Sequence, residues 1–179
     1  MVDEEKLPRS GSVLYNLTHK DEELREKTLK RFRRLNKFLI LPLYRLRLLP
    51  LLGFGRIFLI LTTRGRISGK KRRTPLEYHR INGIITIFSG RGEDASWFKN
   101  LHANPESVWV RHGFHSFPAR IEIILDDHEK LEIFKWYAKK HSRSAKMLFG
   151  WNREEDTPDS SDFSNLIKIV SIIRLYHEK

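Results

Sequence analysis

The sequence predicts a mainly β, α+β fold: a small antiparallel barrel of about six to seven strands with helices on its outside. Three observations predict it. From Ile57 onward apolar residues change from helical spacing to short β-branched and aromatic runs. Two pairs of such runs flank the turn dipeptides Asn82-Gly83 and His112-Gly113. A last β-branched run follows a helical stretch, so that two hairpins, two linking helices and a closing strand account for the second half of the chain.

Taken in order, residues from Met1 to about Lys30 are polar and charge-rich, and Asp21 to Arg34 spaces its charges as a solvated helix does. Residues 1–31 read as a polar N-terminal extension and 32–179 as one domain. Phe32 to Leu61 is apolar and basic, punctuated by Pro42, Pro50, Gly53 and Gly55, with Arg45, Arg47 and Arg56 inside the run. A membrane-spanning helix needs about 20 consecutive apolar residues, so this stretch does not read as one. Two readings fit it: a helix packed on a sheet, or a helix lying in a membrane interface with its arginines at the headgroups. In the second, Leu39, Ile40, Leu43, Leu46 and Leu49 share one face, and Arg33, Arg34, Lys37, Arg45 and Arg47 supply cations.

"RIFLILTT" is the first strand, "TPLEYHRI" the second, and "ITIFS" follows Asn82-Gly83 directly as the third. "ASWFKNLHANP" reads as a short helix entered at Ser96 and stopped before Pro105. "ESVWVRH" and "FHSFPARIEII" form the second pair, with Pro118 at an edge or bulge. Asp126 or Asp127 caps a helix through about Ser142, and Glu129 completes a capping-box pattern with Asp126. "NLIKIVSIIRLYHEK" reads as the last strand.

The formal net charge of +12 points to an anionic partner: phosphates, acidic lipids or polycarboxylates. With no cysteine, disulfides, thiolate metal sites and cysteine nucleophiles are excluded together. The acidic first residues do not read as a secretory leader, and an intracellular protein is expected. His102, His112 and His115 lack metal spacing backed by carboxylates, so no metal is expected.

The chemistry concentrates in two loops. Arg64 to Arg73 holds six cations in ten residues, with Gly65 and Gly69 to turn the backbone. "SGRGEDASW", Ser89 to Trp97, runs through two glycines and Arg91 into a helix start, a combination suited to phosphate. The two lie on adjacent segments and read as one anion site. A basic groove with Trp97, Phe98 and Trp109 nearby also fits a nucleic-acid surface.

Leu61-Thr62-Thr63, Gly65-Arg66, Ser68-Gly69, Arg72 and Thr74-Pro75-Leu76, followed by Ser89-Gly90-Arg91-Gly92, Trp97, Asn100-Leu101 and Ala103-Asn104-Pro105, form an ordered set of motifs. It resembles that of the deazaflavin-dependent nitroreductases, also called F420H2-dependent quinone reductases. The resemblance runs from about Tyr44 to Leu175. It implies a split barrel of the FMN-binding type that uses coenzyme F420, a deazaflavin with a ribityl phosphate, a lactyl group and an oligoglutamate tail, to reduce a quinone-like or nitro-type acceptor by hydride transfer. FMN in place of F420 is the alternative ligand. By the same resemblance Arg66, Ser68, Lys71 and Arg72 with the Thr74-Pro75-Leu76 backbone face the cofactor. Ser89, Gly90 and Arg91 hold its phosphate, and Trp97 and Asn100 complete the wall. Aromatic hydroxyls late in the chain serve the family as proton donors, which makes Tyr137 and His141 the catalytic candidates here. Met147, Phe149 and Trp151 read either as walls of an apolar acceptor pocket or as ordinary packing. Ile67 stands where members of the family often carry a lysine. The remaining expectations are a cytoplasmic protein with peripheral contact to the inner membrane face through residues 32–54, a small apolar electron acceptor, and a homodimer.

Overall fold

The structure, a computed structural model, describes residues 6–46, 48–51 and 57–178. Arg47, Gly53, Gly55 and Arg56, named above, lie outside these residues, as does the side chain of Leu49.

Six antiparallel strands close into a barrel in the order β1-β2-β3-β6-β5-β4. They are β1 (Phe58–Arg64), β2 (Lys71–Ile81), β3 (Ile84–Ser89), β4 (Trp109–His112), β5 (His115–Ile124) and β6 (Ser171–His177). The β2–β3 turn has the backbone its residues favour, with φ of 52° at Asn82 and 81° at Gly83. Pro118 sits where β5 leaves β4 and begins to pair with β6: Trp109 opposes Pro118, and Ala119 opposes His177. A residue without an N–H suits the point at which the ladder changes partner.

Alternation on these strands produces two cores. Inside the barrel Leu59, Leu61, Ile87, Val110, Ile173 and Leu175 meet, closed at one end by Phe98 and Leu101 of α5 (Ser96–Ala103). Outside β3 and β6 a second core gathers Phe134 and Tyr137 of α6 (Asp127–Lys140), Ala145 and Phe149 of α7 (Ser142–Phe149), and Trp151, Phe163 and Leu166. Phe149 and Trp151 are therefore packing residues: Trp151 is buried and its Nε1 donates to Ser161 Oγ at 2.8 Å. Met147 is exposed.

Several elements differ from the sequence reading. The closing run is half helix: α8 (Ser164–Ile169) precedes β6, because Leu166 is drawn into the outer core before the strand starts. Asp126 caps α6 by accepting from Glu129 N–H, but the Glu129 carboxylate turns to Arg174 instead of closing the box. The N-terminal stretch is not all solvated. Leu7 and Leu14, the latter in α1 (Val13–Thr18), enter the outer core, while α2 (Glu22–Leu35) has no buried residue. Arg9 locks the stretch down, its Nη1 and Nη2 donating to the two Asp156 oxygens at 2.8 and 2.9 Å.

The apolar, basic run continues α2 through a π turn, Asn36–Ile40, into α3 (Leu41–Arg45), with α4 (Leu48–Leu51) after it. Leu41 N–H reaches back to Asn36 O, five residues away, immediately before Pro42. The wider turn accommodates a proline that would clash with a regular helix. The expected apolar face divides: Ile40 and Leu43 pack on buried Tyr44 and Ile60, whereas Leu39 and Leu46 are exposed.

Candidate cofactor site

The β1–β2 connection is shorter than its cations suggested. Strand pairing reaches Arg64 opposite Lys71, so Lys71, Arg72 and Arg73 stand on β2 and only residues 65–70 form the turn. Gly65 N–H donates to Lys70 O at 2.9 Å and Gly69 N–H to Gly65 O at 2.8 Å, which closes it tightly. Fixed on strand ends, the cations gain positions that a loose loop would not give them.

Helix α5 supplies the opposite wall. Phe98 and Leu101 are buried in the barrel and set the helix rotation, which turns Asn100 and Trp97 toward the β1–β2 turn. Asn100 is itself buried, and its Oδ1 accepts from the Arg66 backbone N–H and from Arg66 Nη1, both at 3.2 Å. Arg72 Nη2 donates to Ser68 Oγ at 3.4 Å. Between the two walls lies an open cavity of about 840 Å³.

Of the residues predicted to hold a cofactor, Arg66, Ser68, Lys71, Arg72, Thr74, Trp97 and Asn100 line this cavity together. Pro75, Leu76, Ser89, Gly90 and Arg91 do not line it. Ser89 Oγ is buried and donates to Gly92 O at 2.7 Å, bracing its own loop. A Cβ at Gly90 would come within 2.5 Å of Leu14 Cδ2, so the N-terminal stretch packs against that loop. Sequence reasoning left out Leu41 and Ser96, which also line the cavity with Gly65, Ile67 and Arg73. Leu41 gave no signal of its own because it sits in a run that reads as packing throughout.

Tyr137 and His141 line neither this cavity nor a second one of about 760 Å³ that shares Leu41 and Arg73 with it. They meet His79 of β2, ring centroids 4.9 and 4.4 Å away, and His79 Nε2 lies 3.3 Å from Glu77 Oε1. Burial pushes the Tyr137 hydroxyl far up, with the Glu77 carboxylate acting in the same direction and Ser144 opposing. Burial and then His79 hold His141 below its ordinary value, Glu77 opposing.

The donor set of the cavity suits a flat, anionic, aromatic ligand. Four cations, Arg66, Lys71, Arg72 and Arg73, line it with no carboxylate among the lining residues, and Trp97 offers a ring face. Its volume is that of a site for a cofactor-sized molecule. A closed antiparallel barrel with such a cleft beside one hairpin defines the class: a barrel with a cationic cleft suited to an anionic cofactor.

The F420H(2)-dependent quinone reductase family matches residues 51–146, more than half of the chain, and the chain belongs to that family. It is an oxidoreductase, and its cofactor is coenzyme F420. Among solved structures the chain is similar to one described as a domain-swapped dimer, with 23% identity over 68% of this chain and 81% of that one at a TM-score of 0.46. It is similar to an F420-H2 dependent reductase, FDR-A, with 24% identity over 66% and 94% of the two chains and a TM-score of 0.45. A FAD-binding protein from Mesorhizobium loti is 19% identical over 69% and 82%, with a TM-score of 0.43. At these scores the likenesses carry no weight of their own. No curated protein matches.

Proposed function

We propose that the cavity between the β1–β2 turn and α5 holds the deazaflavin and its phosphate, and that the enzyme reduces a small apolar acceptor of quinone or nitro type. The observation that carries this reading is the convergence of Arg66, Lys71, Arg72 and Arg73 on one cavity with Trp97, Asn100 and no acid. When bound, the reduced cofactor supplies a hydride. The chain's own residues bind and orient. Asn100 fixes Arg66, so that its guanidinium meets phosphate or carboxylate without first being ordered. Thr74 and Ser68 offer hydroxyls beside the cations, and Trp97 shields one side from water. Ser89, Gly90 and Arg91 shape the neighbouring loop, and Tyr137 and His141 pack α6 on β2. The test is an equilibrium titration of the purified protein with oxidised F420 and with FMN in parallel. Saturable binding of F420 alone supports the site; equal weak binding of both sinks it.

The acceptor class is supported by the apolar, basic segment that reaches the cavity wall at Leu41. Phe38, Leu46 and Leu51 are each about two-thirds exposed, among the exposed cations Arg33, Arg34, Lys37 and Arg45. No helix among the described residues is long and apolar enough to cross a membrane. Residues 32–54 therefore act as a peripheral contact on the inner, cytoplasmic face of an anionic membrane, where lipid-soluble acceptors are concentrated. Sedimentation with acidic vesicles at low salt tests it, and no binding there removes the membrane from the reading. The chain works as one catalytic unit, 32–179, with 1–31 as an extension strapped on through Leu7, Arg9 and Leu14, and it assembles as a homodimer. Light scattering of the purified protein checks the last point.

A further inference from the structure

On the outer face of β2, Glu77 and His79 stand on the same side of the strand, because Tyr78 between them enters the barrel. They meet the corner between α6 and α7, and His141 is that corner. It follows α6 and precedes α7, its backbone N–H donating to Tyr137 O and its carbonyl accepting from Ala145 N–H, both at 2.8 Å. The His141 ring lies against His79, centroids 4.4 Å apart. Tyr137 meets both rings, at 4.9 Å from His79 and 5.3 Å from His141. His79 is buried beneath them.

One carboxylate serves this pair. From β2, Glu77 Oε1 lies 3.3 Å from His79 Nε2. From α6 come the Tyr137 hydroxyl, kept protonated by its burial, the ring of Trp136 and the charge of Lys140; α7 adds the hydroxyl of Ser144 beside Tyr137, and β3 the ring of Phe88. No other carboxylate among the described residues is within ion-pair distance of either histidine. A first proton is balanced, since a charged His79 faces Glu77. A second puts two cations on rings in contact, with Lys140 the next charge and little water to screen them.

The corner holds the N-terminal strap. Phe149 O, at the end of α7, accepts from Arg9 N–H at 3.1 Å, and Gly150 O accepts from Arg9 Nη1 at 3.1 Å. A Cβ at Gly150 would lie 2.6 Å from the Arg9 Cβ, so the approach is close. Leu7 and Leu14 enter the same core as Tyr137, Ala145 and Phe149, and Leu14 abuts Gly90 in the loop that runs on to α5.

We propose that His79 and His141 form a pH-operated latch: with at most one proton between them they hold the α6–α7 corner on β2, and with two the corner lifts and releases the strap, residues 7–18. Burial first and then His79 hold His141 below its ordinary value, with Glu77 opposing and Lys140 adding to the fall. A group held down in this way stabilises the fold above its unfolded value and withdraws that stability as pH falls, so the latch is closed above about pH 6.5 and opens below it. Opening is local, because the barrel core of Leu59, Leu61, Ile87 and Val110 is separate from the outer core. Release of Leu14 also frees the loop before Trp97 and Asn100, which carries the change toward the cofactor cavity.

The experiment is hydrogen exchange of the full chain from about pH 7.5 to about pH 5.5, corrected for intrinsic rate, on wild type, His141→Asn and Glu77→Gln. Wild type is expected to lose about tenfold in protection over 7–18 and 141–149 as pH falls, while β1 and β4 keep theirs. In His141→Asn the second charge cannot form and the loss disappears. Glu77→Gln removes the anion that balances the first proton, so the loss moves up by about one pH unit. The Glu77 side chain is partly exposed, so this arm stands even if His141→Asn does not fold. Flat protection of 7–18 in wild type overturns the latch. So does an equal loss in His141→Asn, an unmoved midpoint in Glu77→Gln, or a loss shared at the same pH by β1 and β4, which is global unfolding.

Discussion

The two sides of the barrel treat charge in opposite ways. Around the outer core, several cations are matched: Arg9 with Asp156, Lys130 with Asp127, Lys135 with Glu132, and Arg174 with Glu129 and Glu122. Tyr176 adds its hydroxyl to Glu122 on the same sheet. Along β1, β2 and the helices over them, Lys37, Arg45, Arg66, Lys71, Arg72, Arg73 and Arg111 form no ion pair among the described residues. A matched surface is self-sufficient, whereas an unmatched one is destabilised by repulsion until a ligand supplies the counter-charge. The half around the outer core and the half proposed to bind the ligand differ in where the anions are missing.

Substitutions on the two sides should separate stability from binding. The largest effect is expected for Trp151→Ala, which empties a buried site and leaves Ser161 without its indole partner. A loss of about 3 to 5 kcal/mol in urea unfolding is expected, with little change in F420 affinity for the protein that remains folded. Wild-type stability would break the comparison at its structural end. Next is Arg9→Ala, which strands the half-buried Asp156 carboxylate and frees the N-terminal stretch. It should cost about 1 to 3 kcal/mol in the same measurement.

On the other side, Arg66→Ala and Arg72→Ala should each weaken F420 binding by about 1 to 2 kcal/mol, less than a fully buried pair because both side chains are exposed. Melting temperature should stay level or rise as like charges are removed. A fall in stability with unchanged affinity would show that these arginines belong to the structural half.

A pH scan sharpens the comparison further. Burial first, then Arg80 and His115, hold His112 below its ordinary value, and His141 is held down by burial and His79. Both histidines bind protons more readily in the unfolded chain, near pH 6.5, than in the folded one. Their contribution to stability is complete above about pH 6.5 and is lost as pH falls below it toward their folded values. Melting temperature should drop between pH 7 and pH 5, and the drop should shrink in His141→Asn; a flat profile would contradict the burial seen for both.

The smallest effect is expected at Ile67, exposed on the rim of the first cavity. Ile67→Lys should tighten F420 binding by about 0.2 to 1 kcal/mol at low salt and leave stability unchanged. Weaker binding on adding this cation would argue that the rim does not face the anionic part of the ligand.

Local chemistry made much of this legible in advance. Alternation after Ile57, the Asn82-Gly83 turn and the Asp126 cap needed only neighbours in sequence, and all three appear as read. The cations of the β1–β2 segment and the family motifs around them were equally plain, because composition and spacing survive without coordinates. What the sequence could not show was which residues meet. Ser164 to Ile169 reads as strand by composition and is helical because the outer core takes Leu166. Leu14 reads as part of a solvated stretch and is buried against Gly90. Tyr137 and His141 read as candidates for proton transfer, and only the packing of α6 on β2 shows that both meet His79, which lies beside Glu77. Barrel closure also set Arg73 and Leu41 between two cavities, and the rotation of α5 aimed Asn100 at Arg66. Periodicity, caps and turns are settled by residues a few positions apart, so the sequence by itself determined the strands, the hairpins and the anion-seeking character of one face. Contacts between residues 34 to 147 positions apart, such as Asn100 with Arg66 and Arg9 with Asp156, depend on how the elements pack, and only the tertiary structure decided them.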